Sequence, residues 1–254
     1  MQLKLTPLAG IPIVKPGDDL ADLIISTLQQ TGMHLEGGDI LVIAQKIVSK
    51  SEDRFVDLAT VSPSGAALEL AKEINKDARL LELILRESKA VLRFRPGTII
   101  VEHKLGFICA NAGIDHSNVS KEFNSDQWVL LLPENPDRSA ALIRDKLQAW
   151  CSQQIGVMII DSHGRAWRLG TVGIAIGFSG LPGLVDLRGD PDLFGRTLQV
   201  TQVGAADELA AAASLIMGQA AEGTPIVHVR GFPYALREGS LEELIRPEED
   251  DMFR

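Results

Sequence analysis

The sequence predicts a mixed α/β chain of the α+β kind, and three observations carry that expectation. Strand-sized apolar runs at residues 40–43, 128–132 and 155–160 stand between segments whose apolar residues recur at helical spacing. Those helical segments do not alternate one for one with the strands, so the order is not a simple βαβ series. Residues 170–189 are rich in glycine, a stretch that suits close packing or backbone approach to a ligand better than a regular amphipathic element.

Taken in order, Asp18-Asp19 can cap a helix whose apolar face is Leu20, Leu23, Ile24 and Leu28. Gly37-Gly38 then breaks the chain before a buried-strand pattern at 40–43. Two helices are expected over 66–74 and 78–88, the second with Leu81, Ile84, Leu85 and Ser88 on one face. Strands follow at 98–101 and 107–109, and again at 128–132. Asn135-Pro136-Asp137 is a turn that opens a helix carrying Leu142, Ile143, Leu147 and Trp150. Further strands are expected at 155–160, 198–203 and 226–229, and a helix at 207–217 stopped by Gly218. No short repeat or low-complexity linker marks a domain boundary.

With 254 residues the chain can bury a large core, as one domain or two lobes. It is 45% hydrophobic and 23% charged, ordinary for a globular protein, and disorder is expected only in the acidic tail at 248–251. The formal net charge of −9 repels polyanions, which argues against a nucleic-acid partner. It leaves a nucleotide site open, because bound cations invert the local field. Two cysteines, Cys109 and Cys151, outside any CxxC pair exclude a disulfide scaffold or thiolate zinc site. No signal peptide or membrane span is read, so a cytoplasmic location is expected.

Five places could carry chemistry. Asp161-Ser162-His163-Gly164-Arg165 follows an apolar strand, and a strand that empties into Asp-Ser offers hard oxygen donors suited to Mg²⁺ or Mn²⁺. A plain turn explains the same residues equally well. Arg165 and Arg168 add cations for phosphate or carboxylate groups. The loop Asn111-Ala112-Gly113-Ile114-Asp115-His116-Ser117-Asn118 is dense in oxygen donors, with Asp115 a candidate metal ligand and Asn118 a candidate nucleotide contact. For any one of these residues an Asx turn is the commoner explanation, and it explains the whole cluster less well. The glycines at 170, 173, 177, 180 and 183 are read chiefly as packing positions. Neither GxxxxGK[ST] nor GxGxxG occurs, so a nucleotide would not be held in a Walker or dinucleotide fingerprint. The helix end Met217-Gly218-Gln219-Ala220-Ala221-Glu222 could touch phosphate or metal, although a plain helix cap explains it too. Lys50 could pair with phosphate or be a solvated charge. The five histidines show no HxxxH or HExxH spacing, which leaves zinc hydrolase chemistry unsupported; His116 and His163 each lie beside a candidate aspartate.

Together these segments resemble, in order from about residue 10 to 231, the F420-0:γ-glutamyl ligase family. The resemblance rests on Gly10-Ile11-Pro12-Ile13-Val14-Lys15 with Gly17-Asp18-Asp19, and on Gly38-Asp39-Ile40-Leu41-Val42-Ile43 with Val48-Ser49-Lys50. It continues through Asn111-Ala112-Gly113-Ile114-Asp115, Ser117-Asn118-Val119, Leu131-Leu132-Pro133 and Asp161-Ser162-His163-Gly164-Arg165. Residues 170–177, Gly195-Arg196, Ala206-Asp207-Glu208 and Met217-Gly218 complete it. The resemblance implies joining of L-glutamate to the deazaflavin precursor of coenzyme F420, with GTP, two divalent cations (Mg²⁺ or Mn²⁺) and K⁺. A second, γ-linked glutamate is also within the family's chemistry. It further implies two interlocked lobes, here residues 1–65 plus 170–254 against 66–169, in an intertwined homodimer.

By motif position the resemblance makes Asp115, Asp161, Ser162 and Gln219 metal ligands. Family members often carry Thr at the Ser162 position and Glu at the Gln219 position. The nucleotide contacts it implies are Ile11, Pro12, Ile13, Val14, Gln45, Lys46, Lys50, Asn118, Leu215, Ile216, Met217, Gly218, Gln219, Ala220, Ala221 and Glu222. The Gln45-Lys46 pair departs from small hydroxyl residues in some relatives, which bears on nucleotide choice. Catalysis is expected to rest on Asp115, Asp161, Lys50 and Arg165. The rival readings are another nucleotide-dependent carboxylate ligase or kinase, and a non-catalytic nucleotide-binding module.

Overall fold

In the computed structural model, residues 2–119 and 127–252 are described. The chain opens with β1 (Lys4–Pro7), α1 (Leu20–Thr31), β2 (Ile40–Ala44), α2 (Gln45–Ser51) and β3 (Phe55–Asp57). Next come α3 (Gly65–Ile74), α4 (Ala78–Arg86), β4 (Ser88–Arg95), β5 (Thr98–His103), β6 (Ile108–Ala110) and β7 (Trp128–Leu130). The remainder is α5 (Pro136–Cys151), β8 (Gly156–Arg165), β9 (Arg168–Ser179), β10 (Val185–Asp186), β11 (Gln202–Val203), α6 (Ala205–Met217) and β12 (Ile226–Arg230). The mixed α+β class expected from the sequence is the observed one.

A five-stranded sheet in the order β1-β12-β2-β8-β9 is the frame. Only β2 and β8 run parallel; β1–β12, β12–β2 and β8–β9 are antiparallel. Alternation along the central strands feeds two cores, because successive side chains point to opposite faces. Leu41, Ile43, Val157 and Ile159 join one cluster with Ile24 and Leu28 of α1, Leu81 and Ile84 of α4, and Ile143 and Leu147 of α5. Ile40, Val42, Met158 and Ile160 join the other, with Leu209, Ala210, Ala213 and Met217 of α6. β4, β5 and β6 form a separate three-stranded sheet, and β3 pairs with β7.

Local chemistry sets the helix bounds. The Asp19 carboxylate accepts from the Asp22 N–H at 3.1 Å, and Gly32 ends α1 in the left-handed region. Asn135 caps α5 by accepting from the Arg138 N–H at 3.0 Å, with Pro136 in the first turn. Close packing accounts for two of the glycines in β9. A Cβ at Gly177 would lie 2.3 Å from Pro136 Cβ, and one at Gly173 would lie 2.6 Å from the Ala210 carbonyl oxygen.

Several elements differ from the sequence expectation. The helix expected to run to residue 88 ends at Arg86, and β4 starts at Ser88. β4 carries Lys89, Arg93 and Arg95, is mostly exposed and is bulged twice, so no period-2 pattern announces it. β1 and α2 are too short to show a strand or helix period in the sequence. Of the strand expected at 198–203 only Gln202–Val203 is regular. The strand expected to end at 160 continues to Arg165, and the glycine-rich stretch, for which no regular element was expected, opens within β9. The expected lobe boundary at 169/170 therefore falls inside β9, a strand of the main sheet. The acidic tail, expected to be disordered, holds a 3₁₀ turn at Glu248–Asp250. Among the described residues, no helix is long and apolar enough to cross a membrane.

Candidate active site

The site forms where the main sheet thins. The parallel pairing of β2 with β8 ends at Ala44 opposite Ile160. Beyond that point β8 pairs only with β9, as a two-stranded ribbon in which Asp161 faces Ile174 and Ser162 faces Gly173. Asp161 and Ser162 thus stand at the root of the ribbon, inside a strand rather than in a turn. Their alternation sends Asp161 to the face of Ile159 and Ser162 to the face of Ile160. β2 meanwhile turns directly into α2, which carries Gln45, Lys46, Ser49 and Lys50.

Asp115 arrives at this corner through a strained turn. Asn111, Ala112 and Gly113 all have positive φ (52°, 53° and 65°). The chain then docks on β7, with Asp115 and Leu130 exchanging backbone hydrogen bonds of 2.9 Å in both directions. The Asp115 carboxylate accepts from Gln45 Nε2 at 2.6 Å, and Lys46 Nζ lies 3.2 Å from its other oxygen. Ser49 donates to Gln45 Oε1 at 2.9 Å, which fixes the direction in which the amide of Gln45 points. Lys46 also donates to Ser117 Oγ at 3.3 Å and Lys50 to the Asn118 carbonyl at 2.7 Å. Asn118 Nδ2 donates to the Ala220 carbonyl at 3.2 Å, tying this loop to the chain after α6.

Burial pushes the Asp115 carboxyl up to about 6; Lys46 opposes the rise and the charge of Asp161 adds to it. Asp115 and Asp161, 46 positions apart in the chain, are therefore close enough to repel each other. Burial, then the charge of Lys46, holds the Lys50 ammonium below its ordinary value, with Asp115 opposing. Asp161 is hydrogen-bonded to His163 at 2.9 Å. On the other face of β8, Ser162 donates to Gln219 Oε1 at 2.9 Å.

The remaining candidates are placed as follows. Arg165 lies roughly 13 Å further along the ribbon than Asp161, and it donates to the Leu169 carbonyl at 3.1 Å. It is not brought to the two carboxylates. Ile11 and Val14 pack on the core while Pro12 and Ile13 are exposed, and the Gly17 N–H donates to the Ser51 carbonyl beside α2. Leu215 and Ile216 are exposed in the last turn of α6, and Met217 is buried beneath them. Glu222 folds over Gly218 and accepts from the Ala220 N–H at 2.8 Å; Ala221 is exposed. His163, read from the sequence as lying beside a candidate aspartate, is the partner of Asp161; two neighbours were not singled out, Ser49 as the group orienting Gln45 and His103 near Phe107. No local spacing signals either of those two, since both act through contacts that only the fold creates.

Among the described residues, no group of three or more His, Cys, Asp or Glu is arranged to hold a metal. Two neighbouring carboxylates nonetheless fit a hard divalent cation, because such an ion offsets both the burial that raises Asp115 and the added repulsion from Asp161. Magnesium in particular is commonly held by one or two carboxylates, with phosphate oxygens and water completing the shell.

A profile of the family described as F420-0:Gamma-glutamyl ligase matches residues 10–231. The chain belongs to that family. It is 46% identical, over the whole of both chains, to the coenzyme F420:L-glutamate ligase of Methanothermobacter thermautotrophicus. It is 43% identical to the protein of the same name from Methanocaldococcus jannaschii, covering 96% of this chain and 94% of the relative. With the Archaeoglobus fulgidus protein, again of that name, identity is 42% over 100% of this chain and 97% of the relative.

Proposed function

We propose that the protein is a ligase that joins L-glutamate to the deazaflavin precursor of coenzyme F420 by an amide bond, with GTP as the phosphoryl donor. The observation that carries this reading is the meeting of Asp115 and Asp161 beside Lys46 and Lys50, at the end of β2. A carboxylate does not condense with an amine unaided, because its oxygen is a poor leaving group. Transfer of the γ-phosphoryl group to the acceptor carboxylate gives an acyl phosphate. The glutamate amine then attacks the acyl carbon and inorganic phosphate departs.

Such transfer needs positioning and charge neutralisation more than a protein nucleophile. Asp115 and Asp161, with Ser162 and Gln219 from the other face of β8, would hold two divalent cations, Mg²⁺ or Mn²⁺, with K⁺ as a further cation. Those ions supply charge neutralisation across the phosphates and the accepting carboxylate. Lys46 and Lys50 face the same space and neutralise remaining phosphate charge. Their present partners, Asp115, Ser117 and the Asn118 carbonyl, are ones an incoming anion can replace. Arg165, at the exposed end of the ribbon, serves this centre only if a second chain brings it there, as an intertwined homodimer would.

The test is incubation with GTP, L-glutamate, Mg²⁺ or Mn²⁺ and the deazaflavin precursor, read by product mass and phosphate release. One added glutamate per phosphate released is expected, and Asp161→Ala should abolish it in a folded protein. Turnover retained by Asp161→Ala at saturating metal would reject the site. Phosphate release without an amide product would reject the reaction.

A further inference from the structure

The helix α2 hides two polar side chains that the proposed chemistry does not use. Gln45 is 2% exposed and Ser49 0%. They stand four residues apart, on one face of the helix, so they can meet. Burying an amide or a hydroxyl costs free energy unless it finds a hydrogen-bond partner. Here Ser49 Oγ donates to Gln45 Oε1 at 2.9 Å, and Gln45 Nε2 donates to Asp115 Oδ2 at 2.6 Å. The chain of bonds therefore starts inside the helix and ends on a residue of the candidate site.

Chemistry sets the order of donors. Turning the Gln45 amide over would put its oxygen against a carboxylate oxygen, acceptor against acceptor. Ser49 holds the other end of the amide and resists that turn. The Asp115 backbone is already fixed by its two bonds to Leu130. What remains is rotation of the Asp115 side chain, and the bond from Gln45 to Oδ2 restrains it. Lys46 Nζ stands 3.2 Å from Oδ1 on a long, partly exposed side chain. The buried amide is the stiffer of the two partners, because its own rotation is held by Ser49.

We propose that Gln45 is a positioning residue: its side-chain amide, held by Ser49, fixes the Asp115 carboxylate for cation binding and is not spent on the nucleotide. Carboxylates that ligate a metal are commonly oriented by such outer partners, and losing one typically costs about 10–100-fold in metal affinity or activity. The family resemblance alone would put Gln45 among the nucleotide contacts. A side chain this buried, with its amide nitrogen on Asp115 and its oxygen on Ser49, offers a nucleotide little to bind. The part Asp115 plays here rests on the reading above; the chain of hydrogen bonds does not.

The experiment uses the full-length protein with Gln45→Met, which keeps the side-chain length without the amide, and Ser49→Ala. In metal-free protein labelled with ¹⁵N-glutamine, the Gln45 amide pair is identified by its loss in Gln45→Met. It should exchange slowly with water and shift in Ser49→Ala. Mn²⁺ titration, followed by loss of the free-ion EPR signal, should show affinity at least about tenfold weaker in Gln45→Met. Ser49→Ala should weaken it less, and should add nothing to Gln45→Met in the double variant. Binding of a non-hydrolysable GTP analogue to Gln45→Met at saturating Mn²⁺ should stay within about threefold of wild type. A smaller loss of Mn²⁺ affinity in a cooperatively unfolding Gln45→Met protein would overturn the positioning role. Should that variant not fold, Ser49→Ala decides, and wild-type Mn²⁺ affinity in it would overturn the role. Losses that multiply would overturn the link through Ser49, and analogue binding weakened further than that would return Gln45 to the nucleotide. Mn²⁺ affinity unchanged in Asp115→Ala would reject the cation site, while the amide signal would still report the hydrogen bonds. Wild-type protein that binds Mn²⁺ as expected but makes no amide would count against the ligase reading alone.

Discussion

Gly113 ties the fold to the site at the scale of a single residue. Its φ is +65°, and a Cβ there would lie 2.6 Å from Leu132 Cδ1. Gly113→Ala should cost about 2–4 kcal/mol, combining left-handed strain with overpacking. Urea unfolding would measure the loss, and a change below about 1 kcal/mol would show that the turn adapts freely. The same variant should lower ligation out of proportion to its stability, because Asp115 lies two residues on. At this scale the sequence was informative about kind and poor about partners. Asp115 and Asp161 were legible as oxygen donors beside strands. Nothing local could show that Gln45, a residue just past the end of β2, would donate to Asp115 across 70 positions, or that Ser49 would orient it. Arg165 looked equally useful in the sequence, yet strand geometry carries it away along the ribbon.

At the scale of elements, the decisive pair is β2 and β8. Their apolar runs were plain in the sequence, but their parallel pairing in one sheet was not. The continuation of β8 was hidden because Asp161-Ser162-His163-Gly164 reads as a turn, and only the β9 ladder makes it a strand. The opposite end of β2 is held by Asp39, which is buried and bonded to His228 Nε2, Arg230 and the Glu36 N–H. Burial pushes this carboxyl up, but the bonds from Arg230, His228 and Glu36 outweigh it and hold it well below the usual carboxylate range. A depressed folded-state value means that the stabilisation is present above the unfolded value of about 3.9 and is lost as pH falls below it. Asp39→Asn leaves Arg230 without its charge partner and should cost about 3–5 kcal/mol near pH 7. Its stability should also fall less steeply than wild type below about pH 4. Chemical unfolding at pH 7 and pH 3 checks both; parallel acid limbs in the two proteins would contradict this assignment.

On the scale of the whole molecule, the ribbon is the feature one chain does not explain. Trp167 is 91% exposed and Leu169 98% exposed, on a two-stranded extension of a kind that is marginal without packing. Leu193 and Phe194 are likewise exposed. This pattern supports the proposed homodimer, in which a partner covers the ribbon. Sedimentation of Trp167→Glu/Leu169→Glu should show a shift to monomer with lower ligation, and an unchanged dimer would remove the ribbon from the interface. No sequence period announces such a ribbon, since its exposed Trp167 and Leu169 carry no pattern of a core. The centre itself is assembled from segments around residues 45, 115, 161 and 219, so its unity becomes visible only when the sheet is built.

The most direct test of that unity is a double-mutant cycle on kcat/KM for GTP-dependent glutamate addition, using Asp115→Asn, Asp161→Asn and the double variant, at saturating Mg²⁺. Each single change should lose at least about 100-fold, and the double variant should lose little more than the worse single, because either loss disables one shared cation centre. Losses that simply multiply would contradict it, since that is the behaviour of two carboxylates acting in separate places.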